Sequence, residues 1–199
     1  RSAGPGRRMT RQTVHVRILA FDGVEALDFA GPFEVFTTAS RVHARMHPDD
    51  APLFEVKSAA VSDVVLARAG LRLLADHSLP ESPQAQVLIV PGGVVDAALA
   101  SQPTLDWIRS QASKACITAS VCPTHWEDIA DLREKFPRLE VVDDVRWIDN
   151  GNIVTSAGIS AGIDMSLHLV ERLAGRDLAL RTARQMDFAW TSNPSIPSA

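Results

Sequence analysis

Apolar residues in this chain fall into short runs, separated by longer stretches with helical spacing. Residues 14–21 (VHVRILAF) are apolar and rich in β-formers, which predicts a strand ended by Asp22-Gly23. Residues 27–42 carry Phe29, Phe33, Val35 and Phe36, with Pro32 after Gly31. Proline suits a first helical turn, so the helix is expected to begin at Pro32. Residues 53–60 predict the next strand. Residues 64–67 and 71–74, split by Gly70, predict a small hairpin. The run Val87-Leu88-Ile89-Val90 stops at Pro91-Gly92-Gly93 and has the character of a central parallel strand buried on both faces.

The second half continues the alternation. Residues 99–112 predict a helix, with Leu105, Trp107 and Ile108, and residues 115–121 a strand that ends at Cys122. In 125–136 (HWEDIADLREKF), Trp126, Ile129, Leu132 and Phe136 share one helical face. Asn150-Gly151, between VRWID and NIVTS, signals a hairpin turn. Residues 160–173 predict a helix with Ile163, Leu167 and Val170 inward, and residues 177–190 a last helix. Alternating strands and helices imply an α/β fold with a mostly parallel sheet covered by helices on both faces. One domain over 14–190 is expected, with flexible termini at 1–13 and 191–199.

Composition narrows the function classes. A net charge of −4 argues against a nucleic-acid or anionic-membrane partner. No apolar run approaches a membrane span, and the N-terminal arginines have no apolar stretch behind them as a secretory signal would. The two cysteines, Cys116 and Cys122, lie roughly 20 Å apart if both flank one strand, too far for a disulfide. The expected compartment is the cytoplasm. The six scattered histidines show no metal-ligand spacing, so no metal site is expected.

In such sheets ligands bind beyond the carboxyl ends of the strands. Three places there carry chemistry: the 22–31 loop, the Pro91-Gly92-Gly93 turn and Cys122. A cysteine on a strand-to-helix turn is held exposed, and a helix N-terminus beyond it favours the thiolate. Asp28, among apolar neighbours, can hold a proton and share it with a nearby thiolate. Gly92 and Gly93 allow close backbone approach and can aim N–H groups at a developing negative charge. His125 and Trp126 lie near the same edge. Taken singly, each has an ordinary explanation: a buried structural cysteine, a helix-capping aspartate, a simple turn, a histidine with no chemical role.

The combination is more specific. FDGVEALDFAGPFEVF at 21–36, VLIVPGG at 87–93, ASVC at 119–122, THWED at 124–128 and RWIDNGNIVTSAGISAGIDMSLHLVERLAG at 146–175 resemble, in that order, the ThiJ/PfpI superfamily. They are most similar to its isonitrile hydratase and AraC-type-regulator-like branches, over nearly all of residues 14–190. The resemblance implies a flavodoxin-like three-layer sandwich, assembled as a homodimer. It implies Cys122 as nucleophile, Asp28 as acidic partner, and Gly92 and Gly93 as backbone donors; His125, from its place near that edge, is a candidate substrate-binding residue. The implied reaction adds water to a small isonitrile, giving an N-substituted formamide without cofactor. The alternatives are a ligand-sensing domain like the N-terminal part of AraC-type regulators, or another activity of the superfamily (amidase, protease, glyoxalase, redox protection). With nine residues after residue 190, DNA binding by this chain alone is not expected.

One departure concerns the nucleophile. Members continue after the cysteine with a small residue, a helix and a strand before the THW segment, whereas here Cys122 precedes Pro123-Thr124-His125. A parallel crossover needs a dozen or more residues, which are not there. Pro123 has no N–H to serve as oxyanion donor. Either the polypeptide is shorter at this point or residues are left out of the sequence. A true deletion would remove packed core, so omission is the favoured explanation.

Overall fold

The computed structural model describes residues 12–122, 129–142 and 145–192. Near the middle of a seven-stranded sheet, β1 (Val14–Leu19) pairs in parallel with β2 (Phe54–Ala60) on one side. A two-stranded hairpin, β3 (Val64–Leu66) with β4 (Arg72–Leu74), stands apart from the sheet, and β5 (His77–Ser78) extends it beyond β2. On the other side of β1 come β6 (Val87–Val90) and β7 (Ile117–Val121), also parallel. The far edge is a hairpin, β8 (Trp147–Asp149) and β9 (Ile153–Ser156), in which β9 runs parallel to β7 and β8 antiparallel to β9. The strand order is therefore β5-β2-β1-β6-β7-β9-β8, an α/β sandwich with one antiparallel edge.

Alternation along the strands divides the core. Val87 and Ile89 join a cluster with Val16, Ile18 and Ala119 beneath α1 (Ala26–Met46), α5 (Ala161–Ala174) and α6 (Arg176–Gln185). Leu88 joins the opposite cluster with Leu19, Ala59 and Trp107 of α3 (Gln102–Ala112). Val87, Leu88 and Ile89 have no exposed surface, as expected of a strand covered on both faces. Each such side chain stabilises the fold by about 1.5–3 kcal/mol.

Four elements depart from the expected pattern. α1 begins at Ala26, so Pro32 lies inside the helix rather than at its start. Pro32 cannot donate to the Asp28 carbonyl, yet it is buried in the helix face against the core, and packing outweighs the lost bond. The single helix expected over 99–112 is two, α2 (Asp96–Ala100) and α3. Ser101 divides them, its Oγ accepting from the Thr104 N–H at 3.4 Å, with Pro103 in the first turn of α3. The last helix stops at Gln185 instead of reaching residue 190. There Asp187 takes φ 50° and the Phe188 N–H closes back on the Ala183 carbonyl at 2.9 Å, a Schellman-type end. Met186, Phe188 and Trp190 still pack against the core, which is why their spacing imitates more helix.

The fourth departure follows Cys122. α4 (Ile129–Lys135) leaves Ile129 and Leu132 half-buried and Phe136 exposed, so the expected apolar face is not seated on the core. Between Cys122 and β9, which lies directly beside β7, the described residues include α4 and β8, while residues 123–128 and 143–144 lie outside them. At the far edge, Asp149 accepts from the Gly151 N–H at 2.8 Å and pairs with His168 and Arg172. Burial pushes the Asp149 carboxyl up, but His168, the Gly151 N–H and the Arg172 charge together hold it below its ordinary range.

Gly162 joins this frame to the end of β7. A Cβ placed there would lie 2.7 Å from Cγ1 of Val121. Val121 is buried and β-branched, so it has little room to yield. We expect Gly162→Ala to destabilise the protein by about 1–3 kcal/mol in urea unfolding. An unchanged or higher midpoint would mean that α5 does not press on β7 as described.

Candidate functional site

Three chain segments meet at the carboxyl edge of the sheet. β6 runs out into Pro91-Gly92-Gly93, β7 ends at Val121 with Cys122 next, and α1 starts beside them with Asp28 in its first turn. Asp28 is fully buried. It does not cap α1. The residue before the helix is Glu25, and the Asp28 Oδ2 instead accepts from the Gly92 N–H at 3.1 Å.

Gly92 is the point of contact. A Cβ at this residue would lie 2.8 Å from Asp28 Oδ2, 2.9 Å from Cys122 Cβ and 3.0 Å from the Val121 carbonyl. The carboxylate and the cysteine therefore approach the same spot, and only a residue without a side chain leaves room for both. The neighbouring strand-like contact fixes this turn. Val24 and Gly93 form an isolated antiparallel bridge, with the Glu25 N–H on the Gly92 carbonyl and the Val94 N–H on the Gly23 carbonyl, both at 2.9 Å. Gly93 has φ 140°, and a Cβ there would run into the backbone of Gly23–Glu25.

Cys122 is half-buried and its N–H donates to the Ser156 carbonyl at 3.1 Å. Its φ is 67°, in the left-handed region. A residue with a Cβ pays about 1–2 kcal/mol to stand there. Such conformations persist where the surroundings over-determine them, and they gather at functional sites. Cys116, at the other end of β7, is exposed and has ordinary backbone geometry.

Of the residues singled out in the sequence, the structure brings Cys122, Asp28 and Gly92 together and sets Gly93 one residue along, in the bracket against α1. The Gly92 N–H is directed at Asp28, while the Gly93 N–H takes no part in the two bonds of the bridge. His125 and Trp126 lie outside the described residues, as does Pro123. Sequence reasoning missed Glu25, whose N–H holds the Gly92 carbonyl, and Ser156, whose carbonyl holds Cys122. The available signal for Ser156 was its place at the carboxyl end of a strand. Among the described residues no three His, Cys, Asp or Glu side chains are grouped to hold a metal ion, and no helix is long and apolar enough to cross a membrane.

Residues 14–131 match the model of the DJ-1/PfpI family. The chain is 31% identical over 194 residues to isonitrile hydratase of Pseudomonas putida, a match covering 88% of this chain and 79% of that protein. It is 30% identical over 132 residues to the HTH-type transcriptional regulator GbdR of Pseudomonas aeruginosa, covering 58% of this chain but 36% of the regulator. Among solved structures, a ThiJ/PfpI family protein from Pseudomonas syringae superposes with a TM-score of 0.77 at 21% identity, covering 96% of this chain and 82% of the other. Drosophila melanogaster DJ-1beta superposes with a TM-score of 0.73 at 21% identity, covering 90% of this chain and all of the other.

The backbone at Cys122 makes a direct prediction. Cys122→Gly removes the Cβ from a left-handed position, whereas Cys122→Ala keeps it. We expect the glycine variant to be at least as stable as the alanine variant, by up to about 1–2 kcal/mol in chemical unfolding. At an ordinary position glycine would be the weaker by about 0.5–1 kcal/mol, and that order would contradict the strained geometry.

Proposed function

The chain belongs to the DJ-1/PfpI family, and on that premise we propose that it is a cysteine-dependent hydro-lyase that adds water to a small isonitrile to give an N-substituted formamide. The observation that carries this reading is the approach of Asp28 and Cys122 to the side-chain-free point at Gly92. In the proposed reaction the Cys122 thiolate attacks the electrophilic isonitrile carbon. A C–S bond forms while Asp28 gives that carbon a proton, leaving an S-bound imidate. Water then adds its oxygen to the same carbon. Asp28 relays the water protons: one ends on nitrogen, and the other returns to Asp28 as the C–S bond breaks and the formamide leaves.

The turn at Gly92 and Gly93 forms the backbone wall of this site, and Gly93 is the proposed donor for charge developing on the substrate. Burial of Asp28 supports a role in proton transfer, because a buried carboxyl exchanges protons with its immediate neighbours rather than with bulk water. The same reading includes a cofactor-free homodimer in the cytoplasm, with the single domain spanning 14–190 and His125 near the substrate.

A second reading is a ligand-sensing domain. The similarity to GbdR, and to the regulator CdhR of Pseudomonas aeruginosa at 26% identity over 184 residues, favours it. The chain spans 36% and 53% of those regulators. The two readings differ in turnover.

The test is incubation of the purified protein with a small alkyl isonitrile, following the N-alkylformamide by proton NMR. We expect formation with many turnovers per chain, no turnover by Cys122→Ala, and at least roughly a tenfold loss of kcat in Asp28→Asn, in keeping with the usual contribution of a positioned acid–base group. The Asp28→Asn melting temperature should fall by less than its activity implies. Full activity in Asp28→Asn would refute the proton role. No formamide from the parent protein, with isonitriles still raising its melting temperature, would favour the sensing domain.

A further inference from the structure

Glu25 is tied through its backbone to the Gly92 turn. Its N–H donates to the Gly92 carbonyl at 2.9 Å, and Gly92 in turn abuts Cys122. Glu25 directly precedes α1 and lies three residues before Asp28, with Asp28 buried and Glu25 partly exposed. The Glu25 side chain is 24% exposed.

Glu25 is held from above. Arg68 lies at the tip of the β3–β4 hairpin, and its N–H donates to the Val24 carbonyl at 2.9 Å. The Gly23 N–H donates to the Leu66 carbonyl and the Leu66 N–H to the Asp22 carboxylate, both at 2.8 Å, so the hairpin is tied three times to the segment leading into α1. From that anchored turn, in which Ala69 has φ 64°, Arg68 Nη1 reaches Glu25 Oε2 at 3.7 Å. The partners are unequal: the Arg68 side chain is 63% exposed and Glu25 is largely covered. Water and salt screen the arginine more than the carboxylate. The field reaching the edge of the sheet is thus weighted toward the negative partner.

We propose that Glu25, held in place by Arg68, is a specificity-determining residue that disfavours anionic electrophiles at Cys122 and admits uncharged or cationic ones. This inference rests on the lyase reading only in naming the substrate class, isonitriles without an anionic group. Glu25 takes no part in bond making and acts through its charge on whatever approaches the thiol.

The test uses two methanethiosulfonate reagents, one carrying a sulfonate and one a trimethylammonium group, on the whole protein with Cys116→Ser so that Cys122 alone is read by mass spectrometry. The rate ratio, cationic over anionic, is compared with that of a free thiol in the same buffer. We expect the parent ratio to exceed the free-thiol ratio at low salt. Glu25→Gln should lower it by about threefold, Arg68→Ala should raise it by a similar factor, and about 0.5 M salt should compress all three. Glu34→Gln, a carboxylate further along α1 paired with Arg41, serves as the control and should leave the ratio unchanged. Equal ratios in the parent, Glu25→Gln and Arg68→Ala would overturn the proposal, as would an equal shift in Glu34→Gln. These outcomes separate from the lyase reading. Isonitrile turnover with unmoved ratios sinks this inference alone. Shifted ratios without turnover sink the lyase reading alone. A thiol inert to both reagents sinks both.

Discussion

The missing side chain at Gly92 is the constraint on which the site depends. Three backbones converge there: the end of β6, the first turn of α1 and the residue after β7. A methyl group at that point would lie within 3.0 Å of Asp28, Cys122 and the Val121 carbonyl together. None of the three can readily withdraw. Asp28 is fully buried in α1, Val121 is wedged against Gly162 of α5, and the Cys122 N–H is held by Ser156 of β9. The close approach of carboxylate and cysteine is thus a product of packing across the whole sheet rather than of a local loop.

That packing also accounts for the backbone at Cys122. Parallel pairing with β6 and β9 carries β7 to Val121, and the last ladder-like bond, from the Cys122 N–H to the Ser156 carbonyl, holds the residue beyond the strand. The strain of the left-handed position is small beside the burial of Val87, Ile89, Ala119 and Val121 below it. A rigid sheet can impose this conformation, and an isolated loop would relax away from it.

Much of this was legible in the sequence because the hydrophobic runs state it directly. VLIV at 87–90 followed by PGG could be read as a central strand with an open turn, and Asn150-Gly151 as the β8–β9 hairpin, both from local chemistry alone. The start of α1 was not legible. Pro32 is a strong local signal for a helix start, and only burial of that face keeps it within the helix. The division at Ser101 and the end at Gln185 were hidden in the same way: helical spacing continues past both, while a cap or a left-handed residue decides the boundary. Within the site, Cys122, Asp28 and Gly92 stood out as residue types. The bonds by which Glu25 holds the Gly92 turn and Ser156 holds Cys122 are made by backbone groups, which leave no mark on residue identity.

The chain is similar to isonitrile hydratase, and the proposed reaction draws on the approach of Asp28 and Cys122 at Gly92. The claim under both is that Cys122 is built as a nucleophile, and the two cysteines of one chain provide an internal comparison. Cys116 is exposed and Cys122 half-buried, so accessibility alone makes Cys116 the faster thiol. Labelling the native protein with iodoacetamide at neutral pH, with each site followed by peptide mass spectrometry, reads the two rates in a single sample. This account predicts that Cys122 reacts at least about tenfold faster than Cys116, against the order of exposure. Equal labelling, or faster labelling of Cys116, would contradict it.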